Sequence, residues 1–128
     1  MSRRDARDIA FKLVFEYEFS KTENQDALEE YTAGMDADDV AFVKEVYFGV
    51  TSHYEELSSK IAENIEKFAL DRLYKVDLAI LMLAVYEICF VDSVPFKVSV
   101  DEALNLAKKY STEKSGKYIN GVLAKFAR

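Results

Sequence analysis

Leu78 to Val91 reads Leu-Ala-Ile-Leu-Met-Leu-Ala-Val-Tyr-Glu-Ile-Cys-Phe-Val, fourteen residues with one charge, Glu87. A helix that is apolar nearly all round has to be wrapped by its neighbours, because a surface helix keeps a polar face. As a helix the stretch covers about 21 Å at 1.5 Å per residue, short of the roughly 30 Å of bilayer hydrocarbon. It is therefore expected to be the core helix of an all-α domain, and the rest of the chain is read as what packs against it.

The other sequence features agree with that class. A chain of 128 residues can bury a core without metals or disulfides, and residues 1–128 are read as one helical domain. With 4 Gly and 1 Pro there is little turn punctuation, which favours helices joined by short loops over many strands. Cys89 is the sole cysteine, so no internal disulfide can form, which fits a reducing cytoplasm. No apolar segment follows the basic residues of Met-Ser-Arg-Arg-Asp, so no secretory signal is read there.

Charge is distributed unevenly. The net value is −6, yet residues 1–12 carry +2 from Arg3, Arg4, Arg7 and Lys12 against Asp5 and Asp8. Residues 97–128 carry +4, and the acidic middle carries −12. A local basic surface can bind phosphate while the remainder repels it, so distribution outranks the total. Two solvated termini would give the same figures, and charge alone does not choose between these readings.

Periodicity places seven helices. The first covers residues 3–19, with Ala6, Ile9, Ala10, Leu13 and Tyr17 in one apolar stripe and Arg4, Arg7, Phe11 and Phe15 beside it. Arginines at a helix N-terminus oppose the macrodipole, a mild penalty that hints at a use outside folding. The second helix covers 24–35 with Ala27, Leu28 and Tyr31 inward. The third follows the acidic caps Asp36 to Asp39 with Val40, Val43, Tyr47 and Val50. The fourth carries Leu57, Ile61, Ile65 and Phe68, and its joint with the third, near Gly49 to His53, could be a bend in one helix. The core helix begins near Leu73 and stops before Pro95. Ser99-Val100-Asp101-Glu102 reads as a capping box that opens the sixth helix, with Val100, Ala103, Leu104 and Ala107 inward. Ser111 to Gly116 reads as a loop, and the seventh helix starts near Lys117 with Tyr118, Ile119, Val122, Leu123 and Phe126 on one face. Gly121 interrupts that face at a cost of about 1 kcal/mol relative to Ala, which close approach of another backbone or a ligand would explain.

The search for catalytic chemistry returns little. His53 is the sole histidine, and Cys89 is expected inside the buried core helix, so neither a Cys-His pair nor a zinc cluster is supported. The glycines at 34, 49, 116 and 121 are isolated and form no phosphate loop. Glu29-Glu30 and Glu55-Glu56 fall on solvated helical faces. No enzyme activity, metal or cofactor is expected. What remains is a binding constellation: Arg3, Arg4, Arg7 and Lys12 near one end, Lys108, Lys109, Lys114 and Lys117 near the other. Such charges suit phosphates, and exposed aromatics such as Phe15 or Tyr118 could stack on unpaired bases. Tyr118 also fits the core stripe of its helix, and from spacing alone that is the favoured reading.

Three ordered blocks carry a resemblance. They are Arg3-Arg4-Asp5-Ala6-Arg7-Asp8-Ile9-Ala10, Val76 through Glu87, and the carboxy-terminal run from Val94-Pro95-Phe96-Lys97-Val98 through Leu106-Ala107-Lys108-Lys109-Tyr110 to Tyr118-Ile119-Asn120-Gly121-Val122-Leu123. Together they resemble the bacterial transcription antitermination factor NusB family over essentially the whole chain. The resemblance implies two three-helix subdomains around a buried central helix. It also implies a non-enzymatic role: binding single-stranded boxA RNA of ribosomal RNA operons together with NusE, a small-subunit ribosomal protein, so that elongating RNA polymerase resists termination. Carried over onto this sequence, the RNA face would combine Arg3, Arg4, Arg7 and Phe15 with Lys117, Tyr118 and Asn120. The charges would contact phosphate, Tyr118 would stack, Asn120 would hydrogen-bond a base or backbone, and Gly121 would allow close packing. Asp77 is expected to meet NusE. No membrane partner is implied, and a homodimer that hides the basic face is an alternative to the monomer.

The chain departs from the family pattern in places. Asp5 and Asp8 dilute the arginine-rich start, Met82 stands where an arginine is usual, and Asp101 replaces an asparagine. Two other readings remain beside the first. The same helical domain precedes the catalytic domain of some ribosomal-RNA cytosine methyltransferases, although residues 1–128 contain neither a cofactor-binding βαβ segment nor a catalytic cysteine motif. A helical scaffold that binds only protein would lack specific RNA affinity.

Overall fold

The computed structural model describes residues 2–66 and 70–127. Among these the chain forms seven α-helices: α1 (Arg3–Ser20), α2 (Gln25–Thr32), α3 (Ala37–Ser52), α4 (Tyr54–Glu63), α5 (Lys75–Phe90), α6 (Phe96–Tyr110) and α7 (Glu113–Ala124), with a 3₁₀ turn at Leu70–Arg72. Phe68, read as part of the fourth helix's stripe, lies outside the described residues.

The apolar stretch is the central helix. Every residue of α5 from Asp77 to Ile88 is buried, and α5 packs against α1, α3, α4, α6 and α7. Met82, expected to depart from the pattern of similar chains, is fully buried apolar core. Continuous burial ends at Ile88, short of the Val91 that the sequence suggested, and Val91 is buried again after the helix. Cys89, expected inside the buried core helix, is exposed, while Phe90 beside it packs its ring on His53 and Tyr86.

Helix ends follow local chemistry, with one reassignment. Ser2 and Asp5 form a capping box on α1: the Asp5 amide donates to Ser2 Oγ at 3.2 Å and the Ser2 amide donates to Asp5 Oδ2 at 2.8 Å. Asn24 caps α2 by accepting from the Ala27 amide at 2.9 Å, and the turn after α2 uses Gly34 at φ 83°, where a side chain would be strained. The capping box read at Ser99–Glu102 is not formed. α6 starts earlier, at Phe96 with Pro95 as N-cap, so Ser99 lies buried in the helix and Glu102 is drawn to another helix. α7 likewise starts within the segment read as a loop, since Thr112 Oγ1 accepts from the Ser115 amide at 3.0 Å.

α3 and α4 are two helices with a joint at His53, whose amide donates to Gly49 O while its own carbonyl accepts from Leu57. Gly49 is where backbones come close: a Cβ there would overlap the Tyr86 ring of α5. Gly121, by contrast, faces open space, so no close approach within the chain accounts for it.

Candidate nucleic-acid interface

The start of α1 is held by three other helices, one arginine to each. Arg3 Nε donates to Asp39 of α3 at 3.0 Å, and the guanidinium lies 4.4 Å from the Phe42 ring centroid. Arg4 donates through Nε and Nη2 to the two oxygens of Glu102 of α6, at 3.1 and 3.0 Å. Arg7 reaches Glu87 of α5, with Nη2 at 2.9 Å and Nε at 3.1 Å from Oε1. Each pair joins residues far apart in sequence, and together they fix the direction in which α1 leaves the core.

These pairs differ in what they leave for a ligand. Arg7 is only 6 % exposed and Glu87 2 %, so the expected contact between Arg7 and phosphate is not available on this surface. Burial pushes the Glu87 carboxyl above the ordinary range, opposed by the hydrogen bonds and charge of Arg7. Arg3 and Arg4 remain exposed. Each keeps guanidinium N–H groups beyond those given to its carboxylate, because the group carries five. The hydrogen bond with Glu102 raises the Arg4 pKa further.

One turn on, Asp8 gathers two groups from the end of α6. Lys109 Nζ donates to Oδ1 at 3.0 Å, and the Tyr110 hydroxyl donates to Oδ1 at 2.8 Å. That contact raises the Lys109 pKa, and burial, followed by the Asp8 carboxylate, raises that of Tyr110. The Tyr110 ring stacks on Phe11 with centroids 4.9 Å apart, and Phe11 stacks on Phe15 at 6.0 Å. Because Arg4 meets Glu102 and Asp8 meets Lys109, α1 and α6 run side by side in the same direction.

α6 joins this strip to the second cluster. Lys108, adjacent to Lys109, lines a groove of about 550 Å³ with Leu104, Thr112, Gly116, Lys117, Asn120 and one acid, Glu113. Lys108 and Lys117 take part in none of the ion pairs among the described residues. The expected residues Lys117 and Asn120 therefore share one face. Tyr118 is 38 % exposed rather than core, and it lines one groove with Lys117, Gly121 and Lys125 and another with Arg72, Tyr74 and Lys114. Burial, and then Glu66 and Asp77, raise its pKa.

Asp77 does not stand on the surface as expected. It is 4 % exposed, and its two oxygens accept from Ser111 Oγ and Ser115 Oγ, both at 2.7 Å. A carboxylate with both oxygens taken up by the α6–α7 turn shapes the groove beside it; it offers little to an incoming cation. Sequence reasoning also missed Asp39, Glu102 and Asp8 as partners of the basic strip. Their one visible signal was the excess of arginine at a helix start, which electrostatics disfavours unless acids from elsewhere converge on it.

Residues 4–128 match the model of the NusB family. The chain belongs to the NusB family. Two relatives, the transcription antitermination proteins NusB of Geobacillus kaustophilus (strain HTA426) and Clostridium novyi (strain NT), are 42% and 39% identical to it. The first alignment covers 98% of this chain and 95% of the relative, and the second 96% of each. Among solved structures, T. maritima NusB superposes with a TM-score of 0.91 at 35% identity, over 99% of this chain and 91% of that one. A crystal structure of the antitermination factors NusB and NusE in complex with dsRNA gives 0.87 at 28% identity, over 97% of this chain and 94% of the other. This NusB-family chain thus shares both sequence and all-helical fold with those proteins along nearly its full length. Among the described residues, no helix is long and apolar enough to cross a membrane.

Proposed function

We propose that this chain is a non-enzymatic antitermination factor that binds RNA and NusE together. The observation that carries the reading is the match to NusB proteins in sequence and fold over residues 4–128. The RNA would be a boxA-type single strand of ribosomal RNA operons. Its phosphates would be met by Arg3, Arg4, Lys108 and Lys117, its bases by Phe15, Tyr118 and Asn120. Single-stranded elements expose bases for stacking and hydrogen bonding in a way an A-form duplex does not.

Arg7 has a positioning role in this proposal: through Glu87 it holds α1 so that Arg3 and Arg4 face outward. Asp77 acts similarly at the partner surface, fixing the α6–α7 turn against the start of α5 where NusE would dock. The acidic pairing of Arg3 and Arg4 weakens their pull on phosphate, which supports a requirement for NusE. Action on nascent transcripts in elongating RNA polymerase complexes would place the chain in the cytoplasm. A monomer bears the free RNA face, and a homodimer covering that face would bind RNA only after dissociation.

The test is binding of fluorescent boxA-type RNA, of a scrambled strand and of a duplex, each with and without NusE. Tighter binding of the boxA strand when NusE is present is expected. Equal affinity for the scrambled strand under all conditions rejects sequence-specific recognition.

A further inference from the structure

The basic residues of α1 end at Lys12, but the row of rings beside them does not end at Phe15. Phe11, Phe15 and Phe19 recur every four residues, so their side chains follow one another along a single helical face. With Tyr110 they make a ladder of four rings, in which Phe15 and Phe19 meet at 5.1 Å between centroids and 83° between planes. Phe11 is buried and Phe15 half-buried, whereas Phe19 is 63 % exposed. An edge-on contact occupies at most one face of the Phe19 ring, and no other ring lies close to it among the described residues.

We infer that Phe19 is a further stacking platform for a nucleobase, extending the RNA path beyond the boxA element along α1. The inference rests on the RNA-binding reading above. Two observations favour a base over a protein side chain as the occupant. The ladder begins at Tyr110 beside Asp8, where Lys12 and Lys109 are also paired, and its ring contacts run from there to Phe19. On α1 the exposed ring is flanked by Ser20, which is exposed, and lies one turn after Glu16, whose carboxylate accepts from the Tyr31 hydroxyl. Phe19 is thus a single exposed apolar side chain on its helix rather than one of a run of the kind that marks a protein interface. Stacking on an isolated aromatic tolerates any base, because every base has a π-face. The contact would add affinity for nucleotides flanking the element without adding sequence preference.

The experiment compares the boxA-type strand with the same strand lengthened by a short adenosine run at its 5′ or its 3′ end, in the presence of NusE. One of the two extensions is expected to tighten binding by about five-fold or more. Phe19→Ala should abolish that gain while leaving affinity for the unextended strand unchanged, and Phe19→Trp should retain it. Thermal unfolding of both variants checks that the fold is intact, as expected for so exposed a position. A gain that survives Phe19→Ala overturns the inference, as does the lack of any gain from either extension. Loss of NusE affinity in Phe19→Ala without RNA would assign the ring to the protein partner instead. Failure of the unextended strand to bind removes the underlying RNA reading, and is thereby distinct from failure of the extension alone.

Discussion

Arg7 Nη2 lies 2.9 Å from Glu87 Oε1, with both side chains almost wholly sealed from solvent. A buried pair of this kind contributes little net stability relative to apolar residues of the same shape, yet breaking it strands a charge. Arg7→Ala is therefore expected to lower unfolding free energy by about 3–5 kcal/mol in urea titrations at neutral pH. The double change Arg7→Met with Glu87→Leu should lose far less than either single change, because each alone leaves one buried partner unmatched.

The same carboxylate gives a pH signature. Burial raises the folded pKa of Glu87 above its unfolded value. Between those two values the native chain binds a proton that the unfolded chain has released. Stability from this group is thus fully present below the unfolded pKa and is lost as pH rises through the folded one. Glu87→Gln lacks this component. The stability of the unaltered chain minus that of Glu87→Gln should fall with rising pH from the ordinary glutamate range upward, then level off. A difference that climbs with pH would contradict the direction.

Asp77 carries a structural prediction with a functional readout. Asp77→Ala leaves the Ser111 and Ser115 hydroxyls without their acceptor, at a cost of about 1–3 kcal/mol. Amide exchange in the first turn of α7 should quicken. If Asp77 acts by shaping the partner surface, NusE affinity should fall in parallel with loss of amide protection across Asp77 and serine variants. Weakened NusE binding with unchanged protection would instead point to direct contact.

Two glycines are expected to respond oppositely to alanine. At Gly49 the added methyl overlaps the Tyr86 ring, and overpacking of this kind costs about 1–3 kcal/mol. At Gly121 the methyl enters open space within a helix, so Gly121→Ala should stabilise by up to about 1 kcal/mol through helix propensity. Thermal unfolding of the two variants checks both signs. Should Gly121→Ala nevertheless weaken RNA or NusE binding, the close approach expected at this glycine would be made by a ligand.

What the sequence revealed follows from how local each signal is. The central helix was legible because its apolar residues run all round, a pattern that needs no knowledge of its neighbours. Helix starts were less so: Ser-x-x-Glu at Ser99 has the form of a cap, but Glu102 is claimed by Arg4, 98 positions away. The candidate site divides along the same line. Lys117 and Asn120, one turn apart on a helix, do share a face, whereas the burial of Arg7 and Asp77 depends on α5 and the α6–α7 turn. A lone Glu87 in an apolar helix is a signal for a buried cation that the sequence reading left unused, and Arg7 is that cation.

The central claim is that phosphates are held by exposed cations of α1 and of the α6–α7 groove, with Arg7 acting behind them. Affinity for boxA-type RNA in the presence of NusE, measured across a salt series, tests it most directly. Each phosphate contact removed should reduce the slope of log affinity against log salt by about one. Arg4→Ala and Lys117→Ala are each predicted to flatten that slope and weaken binding. Slopes identical to that of the unaltered chain in both variants would contradict the account.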